Sequence, residues 1–251
     1  MKISVLASGS KGNCTLIKTE HSNTLIDIGM SNLYIEKQLV SLNINPDEID
    51  NVFITHNHID HIAGLKVFIK KHKPIVYLTQ KLYDELSKTI DITEYVIIEE
   101  ELFISDLNVK IFKTSHDAVD SVGFVFSNND KEFVYVTDTG YIKNKYFDLL
   151  TNKDIYVFES NHDVQMLMDN LNYPYQTKQR ILSDKGHLSN KDSSFYLSKF
   201  VGNKTKNIVL AHLSEQNNDK EIAVNTLKEK IGDKVNIIVA EQDNKTELIE
   251  V

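Results

Sequence analysis

The apolar positions of this chain come in short runs separated by polar turns, and they predict strands interleaved with a few helices. KISVLAS, NCTLIKT and NTLIDIG are apolar runs of strand length, and SGSKGN supplies the first turn. From about Ser31 to Leu42 the spacing becomes helical. NVFIT is a short buried strand, a helix follows from His61 to about His72, and PIVYLT is the next strand. The stretch Tyr95 to Phe112 reads as strand, turn, strand. VGFVFSN and KEFVYVTD form a hairpin through Asn128 to Asp130. DIYVFES is a further buried strand, with helices near Val164 to Leu171 and Asn190 to Phe200. NIVLAHLS, a helix from Asp219 to Lys230 and the strand VNIIVA complete the pattern. Strands mixed with helices and no low-complexity linker suit a layered α/β (α+β) sandwich, with the strand order left open.

Composition narrows the setting. Cys14 is the only cysteine of 251 residues, so no internal disulfide forms, which suits a reducing compartment. In its Gly-rich turn Cys14 reads as a small packing residue, not a nucleophile. The N-terminal apolar run is too short for a signal-peptide core, and no segment approaches the roughly 20 apolar residues of a membrane span. The expectation is a cytoplasmic protein without membrane contact. Net charge is −8, which does not advertise nucleic-acid binding. Yet Tyr173–Lys206 carries seven basic residues against Asp184 and Asp192, a local +5 that leaves −13 for the remainder. Those lysines are either a phosphate-binding face or a solvated surface. Arg180 stands beside 27 lysines as the only arginine. Its planar fork suits two-point binding of phosphate, or a structural ion pair. His21 and His72 read as surface residues.

The strongest chemistry lies in Thr55-His56-Asn57-His58-Ile59-Asp60-His61, where four possible metal ligands fall within six residues. In an extended turn His56 and His58 point the same way and can grip one ion. Asp60 and His61, at the start of a helix, can reach a second. Imidazole and carboxylate ligands suit Zn2+, Mn2+ or Fe. Two such ions activate water and neutralise charge developing on oxygen. A polar loop that is merely rich in histidine is the plain alternative, but three of the nine histidines of the chain sit here. His116, Asp138 and His212 each follow a predicted strand, where loops present side chains to a site.

Two further polar segments are candidates. Glu159 and Asn161 follow DIYVF. A carboxylate there can accept a proton from a ligating imidazole, with His212 the expected partner; alternatively Asn161 or Asp163 caps the next helix. His187 can give a proton to a leaving oxygen or bond a phosphate, while Ser189 or Asn190 can simply cap the helix that follows. SGSKGN lacks the GxxxxGK[ST] spacing and reads as a plain turn that lines the site.

The order of these residues resembles the metallo-β-lactamase superfamily along nearly the whole chain. The resemblance implies a single αββα four-layer sandwich domain over residues 1–251, with its site at one edge of the two sheets. Asp27 in LIDIG matches the aspartate that orients the metal loop. By the same resemblance His56, His58 and His116 bind one divalent ion, Asp60, His61 and His212 bind the other, and Asp138 bridges them. VLASGSKGNC, THNHIDHIAGL, TSHDAVDSVGF, TDTGY, FESNHD, RILSDKGHLSN and LAHLSEQNN are similar to the YycJ/WalJ branch, which is linked to nuclease activity, including 5′-to-3′ exonuclease action on double-stranded DNA. RNA-processing relatives such as RNase J carry a β-CASP-type domain between the fourth and fifth motifs. Here Asp138 and His212 are 74 positions apart, so core loops must hold the substrate. The implied enzyme is a metal-dependent phosphodiesterase acting on DNA. Asp60 or Asp138 orients the attacking water, His187 assists the leaving group, and Glu159 supports an imidazole. Arg180, His187, Ser189, Asn161 and Ser115 are the candidate substrate contacts. The alternatives are hydrolysis of a small phosphodiester, thioester or lactone, and a non-catalytic metal-binding module. A full set of seven ligands argues against the second.

Overall fold

The computed structural model describes residues 1–251, and its strands form two mixed sheets. In chain order the strands are β1 (Lys2–Ala7), β2 (Cys14–Lys18), β3 (Asn23–Ile26), β4 (Asn51–Phe53), β5 (Ile75–Leu78), β6 (Tyr95–Ile97), β7 (Glu101–Ile104), β8 (Leu107–Lys113), β9 (Val122–Asn128), β10 (Lys131–Val136), β11 (Ile155–Glu159), β12 (Asn207–Ala211), β13 (Asn236–Val239) and β14 (Ile249–Glu250). The helices are α1 (Asn32–Ser41), α2 (Ile59–Ile62), α3 (Leu65–His72), α4 (Gln80–Leu86), α5 (Phe147–Leu150), α6 (Val164–Asp169), α7 (Tyr175–Ile181), α8 (Asn190–Phe200) and α9 (Lys220–Ile231). By contacts the chain divides into two compact units. One comprises Met1–Ile111, Ala118–Val122 and Glu241–Val251; the other comprises Phe112–Asp117 and Gly123–Ala240.

The first unit holds the sheet ordered β14-β1-β2-β3-β4-β5-β6. β1, β2 and β3 pair antiparallel through tight turns, and β3 to β6 run parallel. Parallel neighbours need long crossovers, and the helical pattern after Ser31 and again after His58 supplies them. Ser31 caps α1 by accepting from Tyr34 N. Leu6, Leu16, Leu25, Ile35, Leu39, Val52, Leu65 and Phe68 belong to its buried core. The second sheet, ordered β13-β12-β11-β10-β9-β8-β7, gives the second unit its strands β9 to β13. β10 to β13 are parallel, and the near-continuous apolar runs of β10 to β12 reflect burial on both faces. Tyr156, Phe158, Leu197, Phe200, Leu210 and Leu227 pack in the core of this unit.

Most predicted elements are present, including the β9–β10 hairpin with Asn128 opposite Lys131. Three expectations need correction. The helix expected from His61 to His72 is two helices, α2 and α3, broken at Gly64. There the backbone turns in to donate from Gly64 N to Ile28 O at 2.9 Å, and a Cβ on Gly64 would lie 2.2 Å from Met30 O. The stretch Tyr95 to Phe112, read as strand, turn, strand, holds three strands: β6 runs parallel to β5, and β7 and β8 pair antiparallel. His72 is not a surface residue. Its ring is 3% exposed, with Nε2 2.8 Å from Glu36 and Nδ1 2.5 Å from Asp47. The pattern also missed α4, α5, α7 and β14, all of them short.

Candidate active site

In both units most of the functional side chains follow the C-terminal ends of parallel strands, the usual position for a ligand site in such sheets. Three of them, Asp27 (φ 60°), Asp138 (φ 54°) and His212 (φ 57°), have left-handed backbones. Non-glycine residues in that region cost on the order of 1–3 kcal/mol each, a strain tolerated where it aims a side chain.

In the first unit Asp27 follows β3, and Thr55 and His56 follow β4. Asp27 is fully buried and its carboxylate is saturated with donors. Oδ1 accepts from Thr55 N at 2.8 Å; Oδ2 accepts from Thr55 Oγ1 at 2.8 Å and lies 2.7 Å from His61 Nδ1. Burial pushes the Asp27 carboxyl up, against the pull of His61 and the Thr55 donors. A carboxylate on Nδ1 fixes that nitrogen as the protonated one and leaves His61 Nε2 as the lone-pair donor, the arrangement that orients metal-binding imidazoles. The expected extended turn is present, since His58 has φ −67° and ψ 149° before α2 begins. His56 and His58 meet edge to face at 4.7 Å between ring centres, and His56 and His61 lie 4.1 Å apart. Asp60 Oδ2 is 3.5 Å from His61 Nε2.

Asn13, which the sequence did not single out, holds this loop. Its backbone N donates to Asp60 O at 2.8 Å, and its Nδ2 lies 3.3 Å from Asp60 Oδ2 and 3.1 Å from His61 Nε2. The turn SGSKGN therefore shapes the site as a clamp on the loop, and no helix follows it. Cys14 beside it is fully buried, and burial pushes its thiol well up, so it packs and does not attack.

In the second unit Asp138 follows β10, Glu159 ends β11 and His212 follows β12. His116 comes from the end of β8, and His187 from the loop before α8. Asp138 Oδ1 sits among three imidazoles: His187 Nδ1 at 3.5 Å, His116 Nε2 at 3.6 Å and His212 Nε2 at 3.7 Å. His116 Nδ1 is 3.1 Å from Gly186 O, and His212 Nδ1 is 3.3 Å from Glu159 Oε1, so each has its far nitrogen turned toward Asp138. Donor atoms of Asp138, Glu159, His187 and His212 all lie within 4.8 Å of one another. Buried imidazoles backed by acceptors, together with carboxylates, form a donor set that fits a divalent ion such as zinc.

Glu159 has a closer partner than the one expected. His187 Nδ1 is 2.7 Å from its Oε1, and its Oε2 accepts from Thr139 N at 3.0 Å and Leu188 N at 3.2 Å. Burial pushes the Glu159 carboxyl up, but the His187 and His212 imidazoles outweigh it and hold the group down at about 2. Reciprocally, burial disfavours a charged His187 while the Glu159 carboxylate wins and raises it. Burial lowers His116, which is consistent with a neutral ligand.

The remaining candidates separate. Asn161 donates to His212 O at 2.9 Å, and it is Asp163 that caps α6 by accepting from Met166 N. Ser189 is the cap of α8, accepting from Asp192 N at 3.1 Å. Ser115 uses its backbone, donating to Thr139 Oγ1 at 3.0 Å and accepting from Gly140 N at 2.9 Å. Arg180 takes the ion-pair alternative, its Nε on the Asp117 carboxylate. Of the seven basic residues, Lys178 is buried with its ammonium on Met168 O at 2.6 Å, and Lys204 lies 3.6 Å from Glu132. Lys185, Lys191, Lys199 and Lys206 are exposed.

Comparison with known proteins agrees with this geometry. The family model described as the metallo-beta-lactamase superfamily matches residues 7–241. Exodeoxyribonuclease WalJ of Streptococcus pneumoniae serotype 2 is 38% identical over 233 residues, covering 90% of this chain and 86% of that protein. Exodeoxyribonuclease YycJ of Bacillus anthracis is 36% identical over 228 residues, covering 89% and 86%. Among solved structures, the metallo-beta-lactamase fold protein YhfI from Bacillus subtilis superposes with a TM-score of 0.74 at 14% identity, covering 98% of this chain and 99% of that one, a likeness of fold alone.

Proposed function

Because the chain belongs to the metallo-β-lactamase superfamily, we propose that it is a metal-dependent exodeoxyribonuclease that degrades duplex DNA from the 5′ end. The observation that carries this reading is the position of Asp138 among three imidazoles, in a chain 36–38% identical to two exodeoxyribonucleases over about nine-tenths of its length. His56, His58 and His116 would hold one divalent ion and Asp60, His61 and His212 a second, with Asp138 serving both; Zn2+ or Mn2+ suits these donors, and Fe is a third choice. When bound, such ions neutralise charge on the phosphoryl oxygens and make water a stronger nucleophile at neutral pH.

The protein's own groups have separate tasks. Asp27 and Glu159 hold imidazoles in orientation. His187, tied to Glu159 through Nδ1, keeps Nε2 for a proton at the leaving oxygen or for a phosphate contact. Exposed Lys185, Lys191, Lys199 and Lys206 give the duplex backbone a basic surface, while the charge of Arg180 is offset by Asp117. No helix is long and apolar enough to cross a membrane, and a single buried cysteine suits work in the reducing cytoplasm.

The test is nucleotide release with Mn2+ or Zn2+ from end-labelled duplex DNA, single-stranded DNA, RNA and bis-p-nitrophenyl phosphate. Stepwise loss of the 5′ label from linear duplex is expected, with closed circular duplex resistant. Turnover of the small diester with no release from any polynucleotide would sink the nuclease reading in favour of a small-substrate hydrolase.

A further inference from the structure

The segment from Val164 to Leu182 is a helical arm that the metal ligands leave unexplained. It consists of α6, α7 and the turn between them. Along it Met168, Leu171, Tyr175 and Leu182 are 43%, 97%, 66% and 43% exposed. Single exposed apolar residues are ordinary, whereas here four fall within fifteen positions of one short segment.

The arm is built to be rigid. Lys178 of α7 is buried and donates to Met168 O of α6 at 2.6 Å, and Asn170 donates to Asn217 Oδ1 at 2.7 Å. Its base is anchored at the candidate site. His187 N donates to Ile181 O at 3.0 Å, and Arg180 pairs with Asp117, the neighbour of His116. Tyr175 stands five residues before Arg180, about 7.5 Å along a helix, so the apolar tip lies roughly a nucleotide or two from the base of the arm.

We propose that Leu171 and Tyr175 form an apolar shelf on which the terminal base of a DNA end stacks. This rests on the nuclease reading above. Inside a duplex the flat faces of the bases are covered by their neighbours, and only an end offers one. Backbone lysines bind any stretch of duplex alike, whereas a stacking shelf on an arm anchored at the site distinguishes end from interior.

The experiment compares Kd for a linear blunt duplex and for a covalently closed minicircle of the same sequence, using metal-loaded protein and terminal phosphorothioate linkages to slow hydrolysis. Stacking on an aromatic or apolar group is worth about tenfold or more in affinity per base, so the wild type should prefer the linear form by about tenfold. Leu171→Ser with Tyr175→Ala should abolish that preference, and Tyr175→Phe should retain it. Both positions are exposed, and circular-dichroism melting verifies folding. An unchanged preference in the double variant, or none in the wild type, overturns the shelf while leaving the nuclease reading intact. A wild type that releases no nucleotide from unmodified linear duplex overturns the nuclease reading itself. Self-association that disappears in the double variant, without any effect on ends, assigns the surface to a second copy of the chain and also overturns the proposal.

Discussion

His187 Nδ1 lies 2.7 Å from Glu159 Oε1, and that same oxygen lies 3.3 Å from His212 Nδ1. One buried carboxylate thus serves two imidazoles, to which the proposed function gives different tasks, metal binding for His212 and proton handling for His187. Glu159→Gln keeps the shape and removes the charge. Mutating such a supporting group commonly costs 10–100-fold in affinity for metal or in activity. The expected result is a fall in kcat on duplex DNA of about 10–100-fold with a smaller change in KM, read from steady-state nucleotide release. A change confined to KM would remove Glu159 from the chemistry.

Asp138→Ala withdraws the oxygen around which His116, His187 and His212 gather. Metal retained after gel filtration, measured by plasma mass spectrometry, should drop while the protein stays folded. Nuclease activity should fall by at least about a hundredfold, the upper end of the loss for such groups. Full metal content with wild-type turnover would refute the bridging role.

Gly29→Ala tests the clamp on the metal loop. A Cβ there would lie 1.7 Å from Asp60 O and 2.5 Å from Asn13 N, both backbone atoms. Overpacking against backbone costs about 1–3 kcal/mol or more, so Tm should fall by several degrees and metal affinity with it. Differential scanning calorimetry with and without Zn2+ reads both.

Acid should weaken the first unit through Glu36. Its carboxylate accepts from Lys71 Nζ at 2.8 Å and lies 2.8 Å from His72 Nε2, and these partners hold it down at about 2 against an ordinary 4.5. A carboxyl depressed in the folded state contributes stability that is present above about 4.5 and is lost as pH falls toward about 2. Urea midpoints between pH 6 and pH 2.5 should decline less steeply for Glu36→Gln than for the wild type. Parallel curves would show that Glu36 is not responsible.

Much of the site was legible because its information is local. Four ligand-type residues within six positions, and His116, Asp138 and His212 at the ends of apolar runs, need only the preference of those runs for strands. The core strands were legible for the same reason, since burial on both faces writes itself as continuous apolar sequence. Cys14 could be read as inert from its Gly-rich turn. What tertiary structure decided were choices among partners far apart in the chain. Glu159 could back His212 or another imidazole, and packing brought His187 closer. The fork of Arg180 could meet phosphate or a carboxylate, and folding placed its Nε on Asp117, 63 positions away. Lys178 counted as a surface charge until its stem was buried between α6 and α7. The break at Gly64 exists because Ile28 O and Met30 O press against it, and His72 is buried because Glu36 and Asp47 converge on its two nitrogens. Periodicity records which face of an element is apolar; which polar groups meet depends on distances that only the folded chain sets.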